Sequence, residues 1–352
     1  MTSRERFRRT FQHKEADRIP ITDAPWAGTI RRWKAEGMPD TDWRDYFGVD
    51  KIANIHLDIS PRFEKKTLEE TDQYTIHTTD FGATLKTFKL GDGTPEFLDF
   101  KMKTYQSWLE GKARMTPTDD RVDWAGLKQC RDYWERDGVW RESYWWFGFD
   151  VIHSWAVGTE TFLIAMAEDS AWAKDMIGHY LHMCMTLYTR IWDAGYRFDS
   201  ILWPDDMGYK GTQFFSLGMY RDILKPFHKA ACDWAHERGV YAHLHSCGNV
   251  MNFVPDLVEI GIDALNPLEV KAGMDSLALK RDYGDKLVLH GGINAVLWDK
   301  PDQIIPEMER LIPALKQGGG YIFSSDHSVP NTVSLEDFKR IIEKAKELGK
   351  YG

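Results

Sequence analysis

The stretch "PFHKAACDWAHERGVYAHLH", residues 226–245, decides the fold, because it reads as a helix running straight into a strand. Pro226 occupies a tolerated first-turn position and Gly239 stops the helical segment. Side chains of a strand alternate, so His243 and His245 share one face, and Cys247 shares it if extended geometry persists through "SCG".

The same alternation recurs along the chain. Short β-branched or apolar runs ending in polar residues stand at 18–22, 52–58, 151–157, 200–204, 240–245, 262–267, 287–291 and 320–325. Between most of them lie amphipathic segments of helix length. In one, Trp172, Met176, Leu181, Cys184, Leu187 and Ile191 recur at helical steps after a cap at Asp169 or Ser170, and Gly195 closes it. Eight strands alternating with helices predict an α/β fold, a closed (β/α)8 TIM barrel.

Residues 63–140 break the rhythm between the second and third strands. There "QYTIHTTDFGATLKTFKLGDGTPEFLDF" alternates with a two-residue period around glycine-containing turns, the pattern of antiparallel hairpins. This part is expected to be a hairpin-rich elaboration over one rim, with the aromatic run "SYWWFGF" (143–149) as its return. The expected organisation is a single domain, 1–352, carrying that insertion.

Composition narrows the function classes. With 43% hydrophobic and 13% aromatic residues the chain can bury a large core. A net charge of −9 argues against a nucleic-acid backbone as partner. Four cysteines far apart, an N-terminus without an apolar signal-type core, and no run long enough to cross a bilayer predict a reduced, cytoplasmic protein.

Barrels of this kind carry their chemistry at the C-terminal ends of the strands. The residues expected there are Asp58, Thr159 and Glu160, Asp205 and Asp206, His245 and Cys247, Asn266 and Glu269, His290 and Asn294, and Asp326 and His327. Buried carboxylates are costly without partners, so stability alone does not call for such a ring. Zinc favours a mixed nitrogen and sulfur set, and His245 with Cys247 supplies part of one. The plainer alternatives are a hydrogen-bonded core histidine, a small buried thiol, and a helix cap made by Asp205 and Asp206.

Several segments resemble the uroporphyrinogen decarboxylase superfamily, which contains haem-pathway decarboxylases and zinc-dependent corrinoid methyltransferases. They are "RERFRRTFQHKEADRIPI", "FDSILWPDDMG", "GVYAHLHSCGNV", "LVEIGIDALNPLE", "LVLHGGINA" and "GGGYIFSSDHSVPNTVSLEDF", in this order. The decarboxylases carry an arginine-rich loop after the first strand. Here "ITDAPWAGTIRRW" offers Asp23, Pro25 and Trp26 instead, with Arg31 and Arg32 only later, so a polyanionic tetrapyrrole lacks its positive partners. Asp58 matches the aspartate after the family's second strand.

The methyltransferase branch holds zinc with a His-x-Cys pair and a later cysteine. His245 and Cys247 match the pair, whereas the later cysteine is missing and Asp326 or His327 falls at its place. The resemblance therefore implies zinc on His245, Cys247 and one of Asp326 or His327, and a corrinoid on a separate carrier protein. Replacing a thiolate by a harder ligand makes the metal more Lewis-acidic, which favours an oxygen-linked methyl donor.

Under that reading Asp205, Glu160 and His290 orient the small-molecule substrate or protonate its leaving oxygen. Trp26 and Trp155 line the pocket, and Asp58, Asp206, His243 and Glu269 contact substrate or support the ligands. Two alternatives stay open. One is a cofactor-free decarboxylase in which Asp58 stabilises a developing cation; the other is a non-catalytic binder of a small ligand or corrinoid.

Overall fold

A computed structural model describes residues 1–89 and 93–352. Its centre is a parallel sheet of seven strands in the order β1 (Ile52–Ile55), β6 (Trp140–Tyr144), β7 (Ser200–Pro204), β10 (Tyr241–His245), β11 (Ala264–Asn266), β12 (Val288–His290) and β13 (Tyr321–Ile322). Residues 20–22 lie between the two edges. Ile21 bridges Phe323 in parallel, the Thr22 N–H donates to the Phe323 carbonyl at 2.9 Å, and the Asp50 N–H donates to the Ile21 carbonyl at 2.8 Å. This short eighth segment, expected from "RIPIT", curls the sheet into a barrel.

One strand differs from expectation. "VIHSWAV" forms a π-helix over Val151–Ala156, with the Val157 N–H donating five residues back to the Ile152 carbonyl, and the third barrel strand is "WRESY" at 140–144. Two charged residues at its middle hide that strand in the sequence. All but one of their partners are remote: Arg141 meets nearby Glu135 and distant Asp199, and Glu142 meets His243 and Ser200. Charges can be buried when paired and hydrogen-bonded, and the pairing is tertiary. "SYWWFGF" accordingly begins within a barrel strand and continues into the loop at its end.

Between β1 and β6, the strands β2 (Thr67–Glu70), β3 (Tyr74–Thr78), β4 (Ala83–Phe88) and β5 (Glu96–Phe100) form an antiparallel sheet in sequential order, followed by helices at Tyr105–Lys112 and Trp124–Arg136. The glycine-containing turn expected from "LGDG" falls partly on residues 90–92, outside the described residues.

Helices cover the outside of the barrel, among them Ser170–Asp193, Lys225–His236, Pro301–Leu315 and Leu335–Gly349. Alternate residues of the strands, such as Ala242, Leu244, Ile201 and Trp203, are fully buried. The N-terminal helix Ser3–Phe11 plugs the opposite end: Phe7 and Phe11 stack on Trp140 at 5.4 and 5.2 Å, and Phe11 stacks on Tyr241 at 4.7 Å. The end of the barrel left open is the one carrying the strands' C-termini. No helix among the described residues is long and apolar enough to cross a membrane.

Candidate active site

Strands β7 and β10 run parallel with Pro204 opposite His245. Two residues beyond this register stand Asp206 and Cys247, which brings them side by side. The Cys247 N–H donates to Asp206 Oδ1 at 2.8 Å, His245 Nε2 lies 3.7 Å from the same oxygen, and Cys247 Sγ lies 3.4 Å from His245 Nε2. One ligand atom from each of Asp206, His245 and Cys247 falls within 4.8 Å of the others.

The imidazole is held in one orientation. Asn266 at the end of β11 gives its amide N–H to the His290 carbonyl at 3.2 Å, leaving Oδ1 to accept from His245 Nδ1 at 2.5 Å. The Nδ1 hydrogen is thereby committed, and Nε2 faces the thiol and carboxylate with its lone pair free. Burial pushes the Cys247 thiol well above its ordinary value, and the nearby Asp206, Glu269 and Asp150 carboxylates add to the effect. A cation at this point reverses that balance, since metal coordination deprotonates a thiol.

Zinc bonds of about 2.0–2.3 Å in tetrahedral geometry place ligand atoms roughly 3.3–3.6 Å apart. The observed 3.4 Å separation falls within that range and the 3.7 Å one lies just beyond it. The donor set also fits: nitrogen, sulfur and oxygen, with room for an open position on a cavity wall.

The expected pair His245 and Cys247 lies in this cluster, and Asp326 and His327 stand outside it. Asp326 is fully buried, and its two oxygens accept the N–H groups of Val270 at 2.7 Å and Ala295 at 2.6 Å, so it ties strand-end loops together. His327 lines a cavity beside Trp26, with ring centroids 6.4 Å apart, and does not join the trio. The third candidate ligand is Asp206, which the sequence reading had assigned to substrate.

Two cavities flank the trio. The first, 340 Å³, is walled by His245 and Cys247 together with Thr22, Trp26, His290 and His327. The second, 610 Å³, shares Asp206 and Cys247 and adds Asp150, His153 and Ser154 from the π-helix region, Tyr209 and Phe214 from around a small hairpin, and Glu269. That hairpin pairs β8 (Gly208–Tyr209) with β9 (Thr212–Gln213). Gly248, at φ +79°, lies so close to it that an added Cβ would come within 2.2 Å of Gly208 backbone. The loop bearing Cys247 and the hairpin are therefore packed backbone to backbone.

Beneath the first cavity runs a buried polar chain. Glu142 Oε1 accepts from Ser200 Oγ at 2.8 Å and faces His243 Nδ1 at 3.2 Å; His243 Nε2 meets His290 Nδ1 at 3.3 Å, and His290 Nε2 meets Thr22 Oγ1 at 3.2 Å. Burial, then the neighbouring His243 and His245, holds His290 well below the ordinary histidine range. His243 thus supports the site from inside the barrel, and His290 reaches the first cavity as a neutral ring.

Four expected site residues lie elsewhere. Asp205 is fully buried; it bonds His228 Nε2 at 2.7 Å and accepts the Asp150 N–H at 2.8 Å, lining neither cavity. Glu160 is exposed on the first turn of Thr159–Glu168. Asp58 is engaged by Arg62 and Ser60 under the insertion, and Trp155 packs on Phe81, Phe97 and Trp146. The displaced strand explains part of this, because 151–160 does not end a barrel strand. It also explains what the sequence reading missed: Asp150, His153 and Ser154 reach the second cavity only because 151–156 is a π-helix, a form frequent at functional sites.

A description of the uroporphyrinogen decarboxylase (URO-D) family matches residues 152–348, more than half of the chain. The protein belongs to the URO-D family. Against a curated URO-D family relative, the uroporphyrinogen decarboxylase of Shewanella piezotolerans (strain WP3 / JCM 13877), it is 27% identical over 156 residues, 44% of this chain and 41% of that protein. The match thus spans less than half the length of that relative. Among solved structures, a methyltransferase from Methanosarcina mazei superposes with a TM-score of 0.66 at 14% identity, covering 99% of both chains. At that identity the likeness is one of fold, and it covers the insertion as well as the strands.

Proposed function

We propose that this URO-D family protein is a zinc-dependent methyltransferase or demethylase that moves a methyl group between an oxygen-containing small molecule and a corrinoid on a separate carrier protein. The observation that carries the reading is the convergence of Asp206, His245 and Cys247 between two cavities at the strands' C-terminal ends. These three residues would hold the zinc, which supplies Lewis acidity toward the donor oxygen. A single thiolate with a carboxylate and an imidazole leaves the metal harder than a two-thiolate set does, and this favours an oxygen donor over a thiol. One cavity accommodates the small molecule while the other side stays open to the carrier.

Asp58, the residue on which the decarboxylase alternative relies, lines neither cavity and is paired with Arg62. The direct test is metal analysis of protein purified without chelators, alongside Cys247→Ala and Asp206→Ala, with methyl transfer to reduced cobalamin assayed in parallel. One zinc per chain, lost in both variants together with transfer, is the expected result. Wild-type protein free of transition metal would overturn the reading.

A further inference from the structure

The second cavity contains a carboxyl group that the metal trio does not use. Asp150 shares the wall with Asp206 and Cys247 and faces a space that also exposes the rings of Tyr209 and Phe214. It is fixed from three directions. Its N–H is bound by Asp205 Oδ1 at 2.8 Å, its Oδ2 accepts from Trp146 Nε1 at 3.1 Å, and its Oδ1 accepts from Ser154 Oγ at 3.2 Å.

The anchor behind Asp150 is rigid as well. Asp205 and His228 are both fully buried and meet at 2.7 Å, while His228 Nδ1 faces the Tyr220 hydroxyl at 3.3 Å. Gly148 turns the chain at φ +101° so tightly over Asp205 that a Cβ there would approach Oδ2 to 2.5 Å. A buried aspartate, a buried histidine and an obligatory glycine therefore converge on placing one partly accessible carboxyl.

Resting on the methyl-transfer reading, we infer that Asp150 is the acid that gives a proton to the donor's heteroatom as its bond to methyl breaks, with Asp205 and His228 as positioning residues. The balance of the step is simple. The carbon–oxygen bond breaks with both electrons left on oxygen, the methyl carbon bonds to the electron pair of the reduced corrinoid acceptor, and the Asp150 O–H proton goes to the oxygen to give a hydroxyl product. The Asp150 carboxylate recovers its proton from solvent through the Ser154 hydroxyl, which also touches His153 Nε2 at 3.2 Å.

The surroundings suit this task. Burial pushes the Asp150 carboxyl up and takes His153 down, so of the two groups on this wall the carboxyl is the one favoured to hold a proton. Glu269, also on this cavity, is neutralised by Lys271 at 3.2 Å, and Lys210 adds a positive charge at the hairpin. His290 and Asp205 are weaker candidates: the first is held neutral in the other cavity, and the second has no access to either.

The test uses zinc-loaded full-length protein with Asp150→Asn, Asp150→Glu and Asp205→Asn. Para-nitrophenol, whose colour reports its own ionisation, probes binding of the hydroxyl product without turnover. Wild type should bind it at least about tenfold more tightly than Asp150→Asn, a difference that one charge-assisted hydrogen bond supplies, and with a pH profile that the variant lacks. In methyl transfer to reduced cobalamin, Asp150→Asn should lose on the order of 10²–10⁴-fold with methoxybenzene but far less with para-nitroanisole, whose departing oxygen needs no proton. Asp150→Glu should recover part of the rate. Asp205→Asn should lower kcat by on the order of 10²-fold through misplacement, with the pH profile shifted and zinc retained.

Equal nitrophenol binding in wild type and Asp150→Asn, equal losses with both ethers, or loss of zinc in Asp150→Asn would each overturn the assignment. If wild type binds nitrophenol in an Asp150-dependent way but transfers no methyl from either ether, the placement of the acid is supported and the methyl-transfer reading fails.

Discussion

At the scale of single residues, the site is governed by which atoms are already spoken for. Asp326 and Asp206 look equivalent as sequence, each an acid just beyond a strand. Asp326 spends both oxygens on backbone amides, whereas Asp206 accepts the Cys247 N–H and stands on the walls of both cavities beside His245 and Cys247. Asn266 matters for a similar reason, because it commits His245 Nδ1 and frees Nε2. Removing such an orienting partner typically weakens metal binding about 10–100-fold. Asn266→Ala is therefore expected to lower zinc affinity by that factor in chelator competition, and unchanged affinity would show that the contact does not orient the ring. His245 and Cys247 were legible from the sequence because their two-residue spacing survives in the strand. The partner was not, because the demand on Asp326 comes from loops remote in the chain.

At the scale of elements, local pattern succeeded where the signal was apolar and failed where it was polar. The helix-then-strand unit at 226–245 is found as expected, since a helix of Lys225–His236 precedes a strand of Tyr241–His245. "WRESY" does not read as a strand because its two central charges are satisfied only after folding, and "VIHSWAV" reads as one because β-branched residues also fit a buried helical turn. The exchange moved Asp150, His153 and Ser154 into the site. Element packing also gives a stability prediction. Gly248→Ala must adopt φ +79° and push its Cβ against Gly208 backbone, so it should cost more than about 2 kcal/mol. A urea midpoint equal to that of wild type would show that the hairpin moves aside freely.

At the scale of the whole molecule, stability should depend on pH through the buried histidine of the second cavity. Burial takes His153 down to about 4 from an unfolded value near 6.5. Between these values the unfolded chain holds the extra proton, so this group's contribution to stability is complete above about 6.5 and falls as the pH drops toward 4, while the raised Asp150 carboxyl contributes in the opposite sense over the same window. The loss for this one group is on the order of 3 kcal/mol. His153→Gln should remove that acid-side loss, raising the denaturation midpoint near pH 4 relative to that near pH 7 in comparison with wild type, and an unchanged pH dependence would place the acid sensitivity elsewhere. The open end of the barrel is likewise a property of the whole, since Phe7 and Phe11 close one end on Trp140 and leave chemistry to the other.

By itself the sequence determined the alternation of strands and helices, the URO-D resemblance and the His245–Cys247 pair, because these depend on neighbours within a few positions. The tertiary structure decided the rest of the site. Asp206 and Cys247 are 41 positions apart, and only the parallel register of Pro204 against His245 makes them adjacent. A register is fixed by the packing of the whole sheet, so the third partner in "VYAHLHSCGNV" had to come from a neighbouring strand.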